Sequence, residues 1–356
     1  MVPPKPLTTV LATLLTLTVP TTAAYTLKTD LSHTNFFSNF AHYTGPDPTK
    51  GFVQYLSHDA AVQAGLVGYL NTSVFLGSDY TSKDARGRAS VRLESIPTFN
   101  RGLLVADITH MPSSGCGSWP AFWMLGKEKW PLGGEVDILE GVNDYQHNAV
   151  TLHTSPGCIV DNATSSSSSS SSSSTDELPY TGTMKTSNCD VAAPGQGKNV
   201  GCSIHAAPAG SPDHLPTYGS AFNTQGGGIY VVELTSTSIS TWIFPRSTTN
   251  TTLLASLLSS PNPSTFPAPI ARFSGSGCDF ERRFRDMRVI FNTAFCGVWA
   301  AGEWETGGCA KKTGVKKCAD YVRENPEAFL EAYWEIGGLR WFEDDGIKKV
   351  ARSVRW

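Results

Sequence analysis

Short stretches of alternating apolar and polar residues recur along the chain, at residues 87–95, 101–111, 118–125, 134–140, 148–154, 228–244, 287–295 and 333–342. A period of two sends successive side chains to opposite faces of a pleated strand. Glycine, proline, serine and threonine separate the stretches and supply turns. Apolar residues at helical spacing are scarce. One helix is predicted near the end, in ENPEAFLEAYW: Asn325 sits at an N-cap position, Pro326 in the first turn, and Phe329, Leu330 and Tyr333 keep helical spacing. The pattern predicts an all-β sandwich with long loops and a short C-terminal helix.

The first 24 residues read as a secretory signal, with Lys5 as the positive charge, an apolar run from Leu7 to Val19, and small residues at Thr22–Ala24 for cleavage. That run is shorter than the roughly 20 apolar residues a membrane span needs, and threonines break it. Residues 25–342 are expected to form one domain, followed by a charged extension at 343–356 that is no hydrophobic anchor tail. Ten consecutive serines, Ser165–Ser174, lie between Cys158 and Cys189 and read as a flexible insertion inside the domain.

All eight cysteines follow the signal, and an even count in a secreted chain implies disulfides, with the pairing left open. No C-x-x-C pair or histidine spacing suggests zinc. Sequons at Asn71, Asn162 and Asn250 fit an extracellular glycoprotein. Charged residues make up 17% of the chain and the net charge is −3, which gives no electrostatic case for nucleic acid or an anionic membrane. The expected partner is neutral, and no cofactor or metal is expected.

One stretch stands apart. GGEVDILEG, residues 133–141, puts Glu135, Asp137 and Glu140 within six positions of an apolar, β-branched strand. Like charges facing each other on a sheet destabilise it. A helix offers no relief, because these positions do not stack on one helical face. Calcium also takes carboxylates, but such sites draw on loop carbonyls and Asn- or Asp-rich turns, unlike this segment. Period two places Glu135 and Asp137 on one face and Glu140 on the other. A bulge at Ile138–Leu139 would return Glu140 to the face of its partners, and bulges are frequent beside active sites. Paired carboxylates about 5–5.5 Å apart are what a retaining glycosidase uses, one attacking the sugar and the other serving as acid and then base.

With WPAFWML before it and NAVTLHTSPGC after it, this segment resembles the family 16 glycoside hydrolases, specifically secreted fungal-type endo-1,3(4)-β-glucanases of laminarinase type. The likeness extends over DPTKGFVQYL, GRASVRLES, STWIFPRS, FNTAFCGVWA and ENPEAFLEAYWEI, most of the chain after the signal. It implies a concanavalin-like β-jelly-roll of two antiparallel sheets with an open cleft. It further implies Glu135 as nucleophile, Glu140 as acid/base, Asp137 as the assisting carboxylate and His153 as a cleft histidine. The ten-serine insertion and the charged extension depart from the family pattern, and both lie away from the motif.

Aromatic rings suit the apolar faces of pyranose sugars. Trp123, Trp130 in the loop before Glu135, and Trp299 are the candidates for substrate binding, while Trp119, Phe122 and Trp242 read as structural. The expected activity is retaining endo-hydrolysis of β-1,3- or mixed β-1,3/1,4-glucan by a secreted monomer. A transglycosylase using the same residues and a non-catalytic glucan-binding lectin are the alternatives. Against the lectin, a binding site for a neutral sugar has no need of three repelling charges.

Overall fold

The computed structural model describes residues 25–83, 86–162 and 180–344. The segment expected to be a signal (residues 1–24), the ten-serine run and the residues beyond 344 lie outside them. Among the described residues, two eight-stranded antiparallel sheets face each other. The strands appear where the alternation placed them: Gly102–His110, Ser118–Gly126, Glu135–Glu140, Ala149–His153 and Met287–Phe295 each fall inside or within a residue of a predicted stretch. Residues 228–244 form a hairpin, Gly228–Leu234 with Ser238–Pro245.

One sheet carries the carboxylates. Its strand order is Thr183–Thr186, Cys202–His205, Ala149–His153, Glu135–Glu140, Ser118–Gly126, Met287–Phe295, Arg92–Ser95 and Phe40–His42. Phe122, Met124, Val136, Ile138, Leu139, Val289 and Phe291 point into the core between the sheets and are fully buried. The second sheet is covered on both faces. Helix Thr251–Ser259 packs Leu257 over Leu103, Val105, Ile229, Val231, Trp242 and Phe244 on its outer side. Trp242 is therefore a core residue, its indole N–H donating to the Pro267 carbonyl at 2.8 Å.

Helices are short but more numerous than the periodicity suggested. The predicted C-terminal helix forms one turn earlier than expected, as Cys318–Glu324, with a single 3₁₀ turn at Pro326–Phe329. Asn325 does not cap that turn. Its side chain donates back to the Tyr321 carbonyl at 2.9 Å, closing the preceding helix, because Pro326 cannot continue that helix. The final strand, Trp334–Asp344, runs on through residue 342.

Four disulfides use all eight cysteines: Cys116–Cys309, Cys158–Cys278, Cys189–Cys202 and Cys296–Cys318. The first and last tie the small helices of residues 297–324 to the carboxylate sheet around a second apolar cluster that includes Phe295, Trp304, Val322 and Phe329. A bridge closing 193 residues restricts the unfolded chain far more than a local contact could. It holds in place the segment that brings Trp299 to the cleft.

Candidate active site

The register of the carboxylate strand against Ser118–Gly126 resolves the phase of its three acids. Glu135 pairs with Leu125, Asp137 with Trp123, Leu139 with Phe122 and Glu140 with Ala121, with the register shifting between Asp137 and Leu139. Ile138 and Leu139 both enter the core, and Glu140 comes out on the face of Asp137. Swallowing two successive apolar side chains is what forces the bulge. The result is a row of three acids on the open face.

Each acid has different surroundings. Glu135 pairs across the sheet with His153, whose Nε2 lies 4.0 Å from Glu135 Oε1 and 3.2 Å from Asp137 Oδ2. Room for the imidazole comes from Gly201, at φ 67°: a Cβ there would stand 2.8 Å from His153 Nδ1. Trp130 hydrogen-bonds Glu135 from the loop between the two strands. That loop closes where Gly126 and Gly133 touch, since a Cβ on Gly126 would lie 2.0 Å from the Gly133 carbonyl oxygen. Glu140 Oε1 accepts a 2.8 Å hydrogen bond from the indole N–H of Trp119.

Burial lifts all three carboxyls. Glu135 rises to about 7, chiefly from burial and then from the Asp137 charge, against the pull of His153, the Trp130 hydrogen bond and Arg92. Burial also raises Asp137. Glu140 is pushed well above the carboxylate range by burial and by the charges of Asp137 and Glu135, with only the Trp119 bond and His153 opposing. Like charges this close cannot all ionise together, so the protons are shared unequally. Glu135, Asp137 and His153 offer atoms all within 4.8 Å of one another, close enough to share a cation. The same closeness lets one imidazole N–H serve both carboxylates.

The aromatic candidates divide. Trp123 shares the open face, its indole donating to Asn292 Oδ1 at 2.7 Å. The Arg92 guanidinium lies 4.9 Å from its ring and 4.6 Å from that of Tyr43. Trp130 is 40% exposed, free to meet a ligand. Trp299 stands edge-on to Trp119 at 5.7 Å and to Tyr145 at 5.6 Å, and Glu303 accepts hydrogen bonds from both the Trp299 indole and the Tyr145 hydroxyl. Trp119 is not the purely structural residue expected from sequence: it touches Glu140. The signal was present, since period two puts Trp119 with Ala121 and Trp123 on the carboxylate face. Arg92, Asn292 and Asn148 were also missed, and single polar residues inside apolar strands give no pattern to find them by.

A two-sheet sandwich with a bulged row of carboxylates on its open sheet and indoles along that row defines a glycoside hydrolase domain. The chain belongs to the XgeA-like catalytic GH16 domains, whose family model matches residues 40–342. It is 39% identical over 323 residues to an endo-1,3(4)-beta-glucanase of Arthroderma benhamiae, covering 90% of this chain and 65% of the relative. Against a probable endo-1,3(4)-beta-glucanase of Aspergillus fumigatus it is 38% identical over 327 residues, covering 90% of this chain and 45% of the relative. The chain thus spans about half to two thirds of the length of these curated relatives. Among solved structures, laminarinase 16A of Phanerochaete chrysosporium, holding 6-O-glucosyl-laminaritriose in donor and acceptor sites, is similar at a TM-score of 0.78 and 36% identity, over 90% of this chain and 100% of that one. An elongating GH family 16 beta-1,3-glucosyltransferase is similar at a TM-score of 0.76 and 38% identity, with the same coverage.

Proposed function

We propose that this chain is a secreted, retaining endo-glucanase acting on β-1,3- or mixed β-1,3/1,4-glucan, with Glu135 as nucleophile, Glu140 as acid/base and Asp137 assisting. The observation that carries the assignment is the unequal environment of the two glutamates on one bulged strand. Burial and the Asp137 charge raise Glu135, but His153, Trp130 and Arg92 favour its charged form and hold the rise to about 7, so that it ionises above that pH. Two negative neighbours and burial favour the protonated form of Glu140. An ionised nucleophile beside a protonated acid is the pairing double displacement needs.

In the first step Glu135 attacks the anomeric carbon, the glycosidic C–O bond breaks, and the leaving oxygen takes the Glu140 proton. Water then gives its proton to Glu140, attacks the same carbon and releases Glu135, so two inversions restore the β-configuration. Asp137, aligned with His153, keeps a proton or charge beside Glu135 as the nucleophile's own charge comes and goes. Trp123 and Trp130 offer ring faces to pyranose units, with Arg92 and Asn292 holding Trp123 in place. The four disulfides and the exposed positions of Asn71, Asn162 and Asn250 support an extracellular, glycosylated protein. Among the described residues no helix is long and apolar enough to cross a membrane.

A transglycosylase is the second reading, favoured by the Trp119–Trp299–Tyr145 wall beside Glu140. The acid must stand next to the leaving sugar, so this wall would also hold an incoming acceptor in place of water. Product analysis on a β-1,3-glucan and a mixed-linkage β-glucan, with the anomeric form of new ends recorded, separates the readings. Short β-configured products from both support hydrolysis, and chains longer than the input support transfer. Binding without products would overturn both.

A further inference from the structure

We propose that Asn148 is a positioning residue for Glu140, its side-chain amide standing in for the stretch of neighbouring strand that the bulge displaces; the inference rests on reading Glu140 as the acid/base. The carboxylate strand pairs with Ala149–His153 only from Glu135 to Asp137, where the ladder stops. Beyond that point the bulge leaves the Ile138 carbonyl and the Glu140 N–H without strand partners on this flank. Asn148 takes both. Its Nδ2 donates to the Ile138 carbonyl at 2.7 Å, and its Oδ1 accepts from the Glu140 N–H at 2.8 Å.

A primary amide carries one acceptor and two donors in a plane, so it can pair with residues i and i+2 as a strand backbone does. Its orientation here is fixed by its partners, because a flipped amide would face N–H with N–H and carbonyl with carbonyl. Asn148 is itself held rigidly. It is fully buried. Its own N–H donates to Thr217 Oγ1 at 3.0 Å, its carbonyl accepts from the Ala206 N–H at 2.9 Å, and a side-chain hydrogen bond joins it to Tyr230. These contacts tie the backbone of Glu140 to three separate segments of the chain. Together with the Trp119 bond to its carboxylate, they fix Glu140 at both ends.

The structural alternative is that Asn148 only satisfies buried backbone groups, with no bearing on acid catalysis. The two roles separate by substrate. Asn148→Leu keeps the shape and removes both hydrogen bonds. On a laminari-oligosaccharide, whose leaving group needs a proton, kcat/KM should fall on the order of 100-fold, the cost of an acid displaced by about 1 Å. On 2,4-dinitrophenyl β-laminaribioside, whose leaving group needs none, kcat/KM should stay within about threefold of wild type. Retained turnover of the aryl substrate also shows that the variant has folded. Asn148→Asp is the conservative variant: a protonated carboxyl still offers one donor to Ile138 and one acceptor to Glu140, so it should recover most of the oligosaccharide rate.

Glu140→Ala, assayed alongside, distinguishes the inference from the reading beneath it. If Glu140→Ala shows no split between the substrates, the acid assignment fails. If Glu140→Ala shows the split while Asn148→Leu loses both substrates equally, or neither, the positioning role is overturned. Should Asn148→Leu not fold, Asn148→Asp and Thr217→Val carry the test. Thr217→Val, which loosens Asn148 without touching the amide, should give a smaller split of the same sign, and an equal loss on both substrates from either variant would overturn the proposal.

Discussion

Removing the charge of Glu135 should make the protein inactive and more stable, and the gain should depend on pH in a defined way. Burial and the Asp137 charge raise the Glu135 carboxyl from 4.5 to about 7. Its side chain is 18% exposed, so solvent screens it little. At roughly 1.4 kcal/mol per tenfold change in proton affinity, the lift amounts to about 3.5 kcal/mol. The sign follows from proton binding. Between pH 4.5 and about 7 the folded chain keeps the proton while the unfolded chain has released it. Stability from that group is therefore fully present below pH 4.5 and lost as pH rises through about 7. Glu135→Gln keeps the shape and abolishes the titration. Unfolding of a chain this size carries about 0.7 kcal/mol per degree of entropy, so the variant should melt about 5 °C higher than wild type at pH 8, with little difference at pH 4. Thermal unfolding of both proteins by circular dichroism at the two pH values, at one scan rate, is the assay. A gain of the same size at both pH values, or a loss at pH 8, would refute the electrostatic reasoning. The site would then hold its charges more comfortably than its burial implies.

Two further outcomes follow from the surroundings of the site. Trp119→Phe removes the hydrogen bond that favours the charged form of Glu140, worth about 1.5–3 kcal/mol to an ionised acceptor. The basic limb of the kcat/KM–pH profile should move up by about one to two units, and a downward move would mean that Trp119 bonds the protonated acid. Deleting Ser165–Ser174 should leave kcat/KM unchanged, and a large loss would place that run in substrate binding.

The fold was largely legible because period-two alternation is a strong signal over strands as long as Met287–Phe295, and two of its faces were both read correctly in Ser118–Gly126. Short helices were not. Thr251–Ser259 has a capping asparagine, Asn250, whose side chain accepts from the Leu253 N–H at 2.8 Å, but so few turns give periodicity no room to build. The last helix was misplaced because Asn325 and Pro326 mark the end of one helix as readily as the start of another. At the site, three acids in six positions declared themselves, and their phase even located the bulge. What the sequence could not convey is contact between distant segments. Trp119 meeting Glu140, Arg92 between two rings, and Asn148 reaching the strand backbone all depend on register and curvature, which local pattern leaves open. The site also breaks local rules where the fold elsewhere keeps them, with clustered acids and an interrupted ladder, as functional sites commonly do.

The central claim is that Glu135 forms a covalent bond with the sugar. Incubation with 2,4-dinitrophenyl 2-deoxy-2-fluoro-β-laminaribioside slows breakdown of the glycosyl-enzyme so that it accumulates, and mass spectrometry of the peptides then locates the label. The account predicts one 2-deoxy-2-fluoro-laminaribiosyl group (a disaccharide) per chain, attached to the peptide containing GGEVDILEG, at Glu135. A label on Glu140 or elsewhere, or rapid turnover of the substrate with no covalent species and inverted product, would contradict it.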